Sequence, residues 1–268
     1  MLKDINNWLT EPGTPAELDE AMRYCLEGGK GLRPKIVYLS AAATGGDEKS
    51  EPVRAAAVSV ELVHVYSLVH DDLPDMDNDD TRRGKPTVHV KYSPAMAILV
   101  GDALLTRAAG ILAEHGGEHS TALVAELASG AGAAGMVAGQ VADLGLCTLP
   151  DGLDGVEYIH MRKTAALFRT AARMGATASG APSEQIDAVG NFARNIGMAF
   201  QVFDDVLDAD EIARGGNQPG SCLLYLDPEE ARRRGRQLTD RAIEYLAPLG
   251  DKALPLRELA QSLVSRTR

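Results

Sequence analysis

Apolar residues recur at three- and four-residue spacing along most of the chain, through roughly 15–28, 32–44, 52–72, 94–114, 119–143, 155–179, 183–209, 228–247 and 251–265. This period builds one face of an α-helix, whereas a half-buried strand would repeat every second residue. No alternating stretch survives beyond a few residues, and loop-like segments such as TGGDEKSEP, RRGKPTVHVKYSP, CTLPDGLDG and RGGNQPGS separate the runs. The expected fold is therefore all-α, a single domain over residues 1–268 made of about nine or ten helices. Aromatics make up only 4% of the chain and Ala, Leu and Glu dominate the periodic runs, which favours helix over strand. Stretches 119–143 and 183–207 are apolar almost all round and are expected in the centre of the bundle. Helix starts are read at Ser183 behind Pro182 and at Asp227 before Pro228.

A formal charge of -11 argues against nucleic acid or an anionic membrane surface as the main partner. The most apolar run, SPAMAILVGDALL, is interrupted by Asp102, so no membrane span is expected. The opening MLKDINNWLTEPG lacks the apolar core of a signal peptide. Cys25, Cys147 and Cys222 are scattered, with neither a metal spacing nor an even disulfide set, and read as the reduced thiols of a cytoplasmic protein.

Against this background SLVHDDLPDMDNDDTRRGKP places six aspartates between Asp71 and Asp80. Charges this close repel unless cations sit among them. A second acidic motif, QVFDDVLDAD, sets Asp204 and Asp208 one helical turn apart with Asp205 beside them. Pro74 disfavours further helix, so the chain is expected to leave the helix near Asp72 and return Asp77 from a loop. Carboxylates without Cys and with little His are hard oxygen donors suited to magnesium. A calcium loop is rejected, because its sixth position would be Asp80 rather than Gly and its twelfth Pro86 rather than Glu. GGKG at 28–31 is not a nucleotide loop, since Tyr24 and Gly31 occupy the places of its Gly and its Ser or Thr. Lys30, Arg33, Arg82, Arg83 and Lys85 are instead suited to phosphate oxygens. Each acidic cluster alone could be a solvated helix end, and each basic residue alone a surface charge. Together with an apolar helical interior they point to a substrate with a diphosphate head and a hydrocarbon tail.

The segments GGKGLRP, ELVHVYSLVHDDLPDMDNDDTRRGKPT, LVGDALL, GMVAGQVADL, IHMRKTAAL and GMAFQVFDDVLD, in this order, resemble the trans-prenyl diphosphate synthases. The lengthened first motif resembles the short-chain bacterial and plant branch, the farnesyl diphosphate synthases among them. The resemblance implies an isoprenoid synthase fold with a central substrate cavity, and a homodimer. It implies a magnesium-dependent, head-to-tail condensation of isopentenyl diphosphate with dimethylallyl or geranyl diphosphate, with three ions present when substrate is bound.

By matching position, Lys30, Arg33, His64 and Arg83 would hold the isopentenyl diphosphate. Arg82, Lys163, Thr164 and Gln201 would hold the allylic diphosphate and form the catalytic set. Asp71, Asp77 and Asp204 would ligate magnesium, with Asp72, Asp205 and Asp208 binding or supporting through water; Asp75 also completes the shorter spacing and stays an alternative to Asp77. Tyr66, five residues before Asp71, would stop the growing tail at fifteen carbons, with Met96 or Val137 as the alternative floor. Where the family carries lysines after the second acidic motif, ADEIARGGNQPGSCLLYLDPEE has none, and Asn217 stands at the expected place with Arg214 nearby. The chain also begins late relative to the family's first helix. A geranylgeranyl or geranyl diphosphate synthase, and a non-catalytic subunit that modulates a synthase, remain alternatives.

Overall fold

The computed structural model describes residues 2–208 and 220–264. Its helices in chain order are α1 (Leu2–Trp8), α2 (Ala16–Leu26), α3 (Leu32–Ala43), α4 (Glu51–Asp71), α5 (Val88–Lys91), α6 (Pro94–His115), α7 (Ser120–Ala131), α8 (Met136–Asp143), α9 (Leu153–Ile159), α10 (Ala166–Ala178), α11 (Ser183–Leu207), α12 (Pro228–Tyr245) and α13 (Leu254–Val264). A π turn, His160–Ala165, joins α9 to α10 without a break in the rod. A two-residue hairpin, β1 (Thr81–Arg82) with β2 (Lys85–Pro86), accounts for the strands among the described residues. The fold is all-α, as the periodicity requires.

Helix boundaries follow local chemistry. Ser93 caps α6 by accepting from the Met96 amide, with Pro94 at the first helical position, where its missing N–H costs nothing. Asp227 and Glu230 form a reciprocal capping box at the start of α12. The N-terminal helix α1 escapes the periodicity but is fastened by buried Ile5, by an ion pair between Asp4 and Arg54 at 2.6 Å and by Trp8. Trp8 stacks on His115 with centroids 4.4 Å apart, lies under the Arg54 guanidinium, and its carbonyl accepts from Arg107 Nε at 2.6 Å.

The core lies where α4 packs on α6, α10 on α3 and α11, and α11 on α12. Phe168, Phe192, Leu62, Leu104 and Ile36 are fully buried there. Helix α11 is central, as its all-round apolar sequence requires. The expectation for 119–143 is corrected. Gly132 and Gly135 break that stretch into α7 and α8, and α7 buries only Leu123, Leu127 and Ala131. Ala122, Ala125, Ala128 and Ser129 face outward instead.

The sequence argument from Asp102 also needs correction. Helix α6 runs through that residue for 22 residues, and its most apolar 18-residue window has a mean hydropathy of 1.7. Together with Glu51–Asp71 and Gly117–Asp143 it is long and apolar enough to cross a membrane by length and composition alone. In α4 that apolarity serves the core, since 72% of its most apolar window is buried.

The α3–α10 crossing depends on one missing side chain. A Cβ on Gly175 would sit 2.2 Å from the Val37 carbonyl oxygen. Backbone cannot yield as a flexible side chain can, so Gly175→Ala is expected to cost about 1–3 kcal/mol. Urea unfolding should show a lower midpoint with an unchanged slope; an unchanged midpoint would show that the two helices can separate without cost.

Candidate active site

Helix α4 ends at Asp71 and delivers the acidic motif to the head of a cleft. The chain turns back at once, so that the Asp77 amide donates to the Asp71 carbonyl at 2.8 Å. Asp71 faces a cavity of about 380 Å³, and Asp77 faces an adjoining polar cleft of about 870 Å³. Lys163 and Thr164 border both. Asp75 is exposed and borders neither.

The 380 Å³ cavity has two chemical ends. Arg33, His64, Asp71, Lys163 and Thr164 supply polar groups, while Tyr66, Met76, Met136, Val137, Val141 and Leu146 supply apolar wall. Tyr66 is held edge-on against His70 at 5.7 Å. Met96 packs against the core rather than bordering this cavity, whereas Val137 is part of its wall.

Burial pushes the Asp71 carboxyl up to about 7; Lys163 opposes the shift, and Asp77 and Asp72 add to it. Burial likewise raises Asp77 against the pull of Lys163. Lys163 itself is drawn down by burial, but Asp143, Asp71 and Asp77 outweigh that and leave it raised. Its Nζ lies 2.5 Å from Asp143 Oδ2. His64 is held well below its ordinary value by burial and by Arg33, Arg83 and Arg82, so it is neutral. A neutral imidazole can still donate one hydrogen bond to an anion.

Lys163 and Thr164 sit on the π turn, whose wider winding rotates the side chains that follow relative to α9. Helix α8 presses against this turn: a Cβ on Gly139 would lie 2.0 Å from the Lys163 backbone nitrogen. Across the cleft, α11 presents Gln201, Asp205 and Asp208. Thr164 Oγ1 donates to Gln201 Oε1 at 2.9 Å, and Gln201 Nε2 donates to Asp205 Oδ1 at 3.2 Å. The other Asp205 oxygen accepts from the Cys222 amide at 2.8 Å and lies 3.5 Å from His160 Nε2. Asp205 thus anchors the chain where it rejoins the bundle. Asp204 is half-buried one turn before Asp208 and does not border the cleft.

The remaining cations are placed by the hairpin. Arg83 and Gly84, both at positive φ (54° and 74°), form its two-residue loop, the geometry that suits strand twist. Tyr24 Oη donates to the Pro86 carbonyl at 2.7 Å, and Lys85 pairs with Glu27 at 2.5 Å, which fixes the hairpin to the end of α2. Arg82 bonds Asp72 at 2.6 Å and Asp79 at 3.3 Å. Arg82, Arg83 and Asp72 border a third cavity of about 60 Å³ beside the two larger ones. Lys30 is exposed on the turn before α3 and borders none of the three. Asn217 and Arg214 lie outside the described residues.

Three residues of this site were not singled out by sequence reasoning. Asp143 pairs with Lys163, Gln140 borders the cavity with a buried Nε2 that has no partner, and His160 bonds the Gly220 carbonyl at 2.8 Å. All three fall inside motifs already quoted, GMVAGQVADL and IHMRKTAAL, so the signal was their position in those motifs rather than any spacing of their own.

Comparison with known proteins bears on this arrangement directly. The sequence profile described as polyprenyl synthetase matches residues 15–218. The chain is 40% identical to farnesyl diphosphate synthase of Escherichia coli (strain K12), an alignment that covers 93% of this chain and 89% of that one. It is also 40% identical to the heterodimeric geranylgeranyl pyrophosphate synthase large subunit 2 of Arabidopsis thaliana, covering 99% and 75%. The apo crystal structure of an FPP/GFPP synthase from Zymomonas mobilis superimposes with a TM-score of 0.88 at 38% identity, covering 97% of this chain and 94% of that one. A cavity with cationic and carboxylate groups at one end and apolar walls at the other thus sits in a chain that belongs to the polyprenyl synthetase family, a prenyltransferase with the isoprenoid synthase fold.

Proposed function

We propose that this prenyltransferase condenses isopentenyl diphosphate with dimethylallyl or geranyl diphosphate and releases mainly farnesyl diphosphate. The observation that carries the reading is the two-ended cavity, in which phosphate-binding side chains and an apolar channel meet at Asp71, Lys163 and Thr164. Geranylgeranyl diphosphate is the second reading, because relatives named for that product match as closely as those named for farnesyl diphosphate.

The donor set fits magnesium. Among the described residues no three His, Cys, Asp or Glu side chains converge tightly enough to hold an ion by themselves. Magnesium is commonly held by one or two carboxylates together with waters and substrate phosphates, so such a cleft suits it better than an all-protein cage would. Asp71 and Asp77 would hold it from one side and Asp208, which borders the cleft, from the other; Asp204 would turn in from one helical turn before Asp208 as the ion binds, with Asp72 and Asp205 in support. When bound, the metal neutralises charge on the departing diphosphate.

The chain's own residues account for the rest. Lys163 Nζ donates charge-assisted hydrogen bonds to the allylic diphosphate and strengthens them as the carbon–oxygen bond breaks. Thr164 and Gln201, already bonded to each other, steady that end of the site. Arg82 adds a guanidinium beside Asp72. Arg33, Arg83 and neutral His64 hold the isopentenyl diphosphate so that its double bond meets the allylic carbon, with Lys30 reaching in from the rim. A proton then leaves the new chain for the released diphosphate. Met136, Val137 and Val141 keep water from the carbocation.

The direct test combines purified protein, magnesium, isopentenyl diphosphate and each allylic primer, with dephosphorylated products identified by mass. Farnesol is the expected main product. Excess chelator, Asp71→Ala or Asp204→Ala should each cut turnover by about 100-fold or more, as loss of a charge-stabilising group does elsewhere. Full turnover in either variant would remove that carboxylate from the metal site, and no product on any primer would favour the non-catalytic subunit.

Tyr66 lies five residues along α4 from Asp71, about 7–8 Å down the helix. Its ring is 8% exposed, and that exposure faces the cavity wall. Tyr66→Ala should shift the product toward twenty carbons or more; an unchanged distribution would pass the role of floor to Val137.

Two further readings concern the setting. The three cysteines are free thiols, which supports a reducing, cytoplasmic location. Ile98, Leu99 and Leu105 stand exposed on one face of α6, more large apolar surface than an isolated helix face carries without a partner. A second copy of the chain is the occupant we assign to it. Light scattering should read twice the chain mass, and Leu99→Glu should return the monomer value; a monomeric parent protein would overturn the assignment.

A further inference from the structure

Beneath the basic end of the cavity lies a carboxylate that no step above uses. Glu61 stands on α4 one turn before His64 and is 5% exposed. Its Oε2 is buried and makes no hydrogen bond. Arg33, on α3, also buries an Nε with no partner, and its guanidinium lies 5.0 Å over the Phe168 ring. Arg83 reaches the same place from the hairpin. The position that a Cβ would take on Gly29 is 3.1 Å from Glu61 Oε1 and 3.1 Å from Arg83 Nη1, so these two atoms flank the glycine backbone together. A side chain at residue 29 would push between them.

The electrostatics bind the same three residues. Burial pulls Arg33 down to about 10, with Glu61 resisting the fall and Arg83 adding to it. Burial raises Glu61, and Arg33 and then Arg83 oppose that rise. Arg33 is half-buried and Arg83 is exposed at the rim; the two guanidinium groups repel each other, and removing the acid that acts on both would leave Arg33 poorly compensated. An acid that holds them without saturating their N–H groups leaves those donors aimed at whatever anion enters.

We propose that Glu61 is a positioning residue for the homoallylic diphosphate. It holds Arg33 and Arg83 as a pair across Gly29, where Arg83 Nη1 also donates to the Glu27 carbonyl at 3.4 Å, and presents their remaining N–H groups to the incoming phosphate oxygens. It touches no substrate atom. This inference rests on the assignment of Arg33 and Arg83 to isopentenyl diphosphate made above.

Glu61→Gln keeps the volume and removes the charge, and Glu61→Asp keeps the charge at shorter reach. Isopentenyl diphosphate is varied at saturating geranyl diphosphate, and then the reverse. Glu61→Gln should raise KM for isopentenyl diphosphate about tenfold or more, the effect of one misplaced charged hydrogen bond. Its KM for geranyl diphosphate should stay within about twofold, and Glu61→Asp should recover part of the loss. An unchanged KM for isopentenyl diphosphate, or equal losses for both substrates, would overturn the proposal.

Calorimetric titration with isopentenyl diphosphate alone separates this idea from the one it rests on. A parent protein that binds the ligand but makes no product, with binding weakened in Glu61→Gln, supports Glu61 while sinking the synthase reading. A parent protein that does not bind the ligand overturns both. If Glu61→Gln fails to fold, the Glu61→Asp titration decides: weakened binding supports the role and unchanged binding overturns it.

Discussion

Three carboxylates share one ammonium group at the heart of the cleft. Asp71, Asp77 and Asp143 all act on Lys163, and none of them is fully in water. The imbalance has a measurable size: a carboxyl pushed up to about 7 is disfavoured as an anion by on the order of 4 kcal/mol relative to water. A fold carries such a cost only where something else recovers it. The long, buried α4 is what imposes it, because it drives Asp71 into the interior at the end of a helix whose other faces are packed. On the proposed function, an incoming cation would relieve the repulsion among the carboxylates, and an incoming diphosphate would relieve the positive charge at Arg33 and Arg83.

The sequence made the division of labour legible before any coordinate was considered. Apolar residues at helical spacing located α4, α6, the continuous α9–α10 rod, α11 and α12 within a few residues. Pro74 correctly marked the end of α4, and the chain does return Asp77 from a turn. Where the signal has no face, it failed. The stretch 119–143 is apolar all round, and only the placement of α7 at the periphery reveals that Ala122, Ala125 and Ala128 look outward. Helix α1 is too short for a period, and it is secured by Trp8, by buried Ile5 and by the Asp4–Arg54 ion pair.

Within the site, residue types were readable but their pairings were not. Nothing in the spacing of Arg82 shows that it spends its guanidinium on Asp72 and Asp79 in the absence of substrate. Nor does QVFDDVLD show that Asp205 turns both oxygens to protein donors while Asp208 faces the cleft. Such distinctions depend on where the chain returns after the motif, and Cys222 meets Asp205 from seventeen residues away. Motif position gives the roles of a family; tertiary contacts decide which member of a repeated pair can perform them.

The π turn joins these arguments. A regular α-helix from Leu153 to Ala178 would satisfy the backbone equally well, and the wider turn at His160–Ala165 has a poorer hydrogen-bond pattern. Helix α8 packs against it at Gly139, whose bare Cα lets the Lys163 backbone approach. That contact places Lys163 within reach of Asp143 and the first acidic motif, and Thr164 within reach of Gln201 on α11. Two neighbours in sequence thereby serve opposite walls of one cleft. The irregular segment is thus where one short stretch of chain meets both α8 and α11.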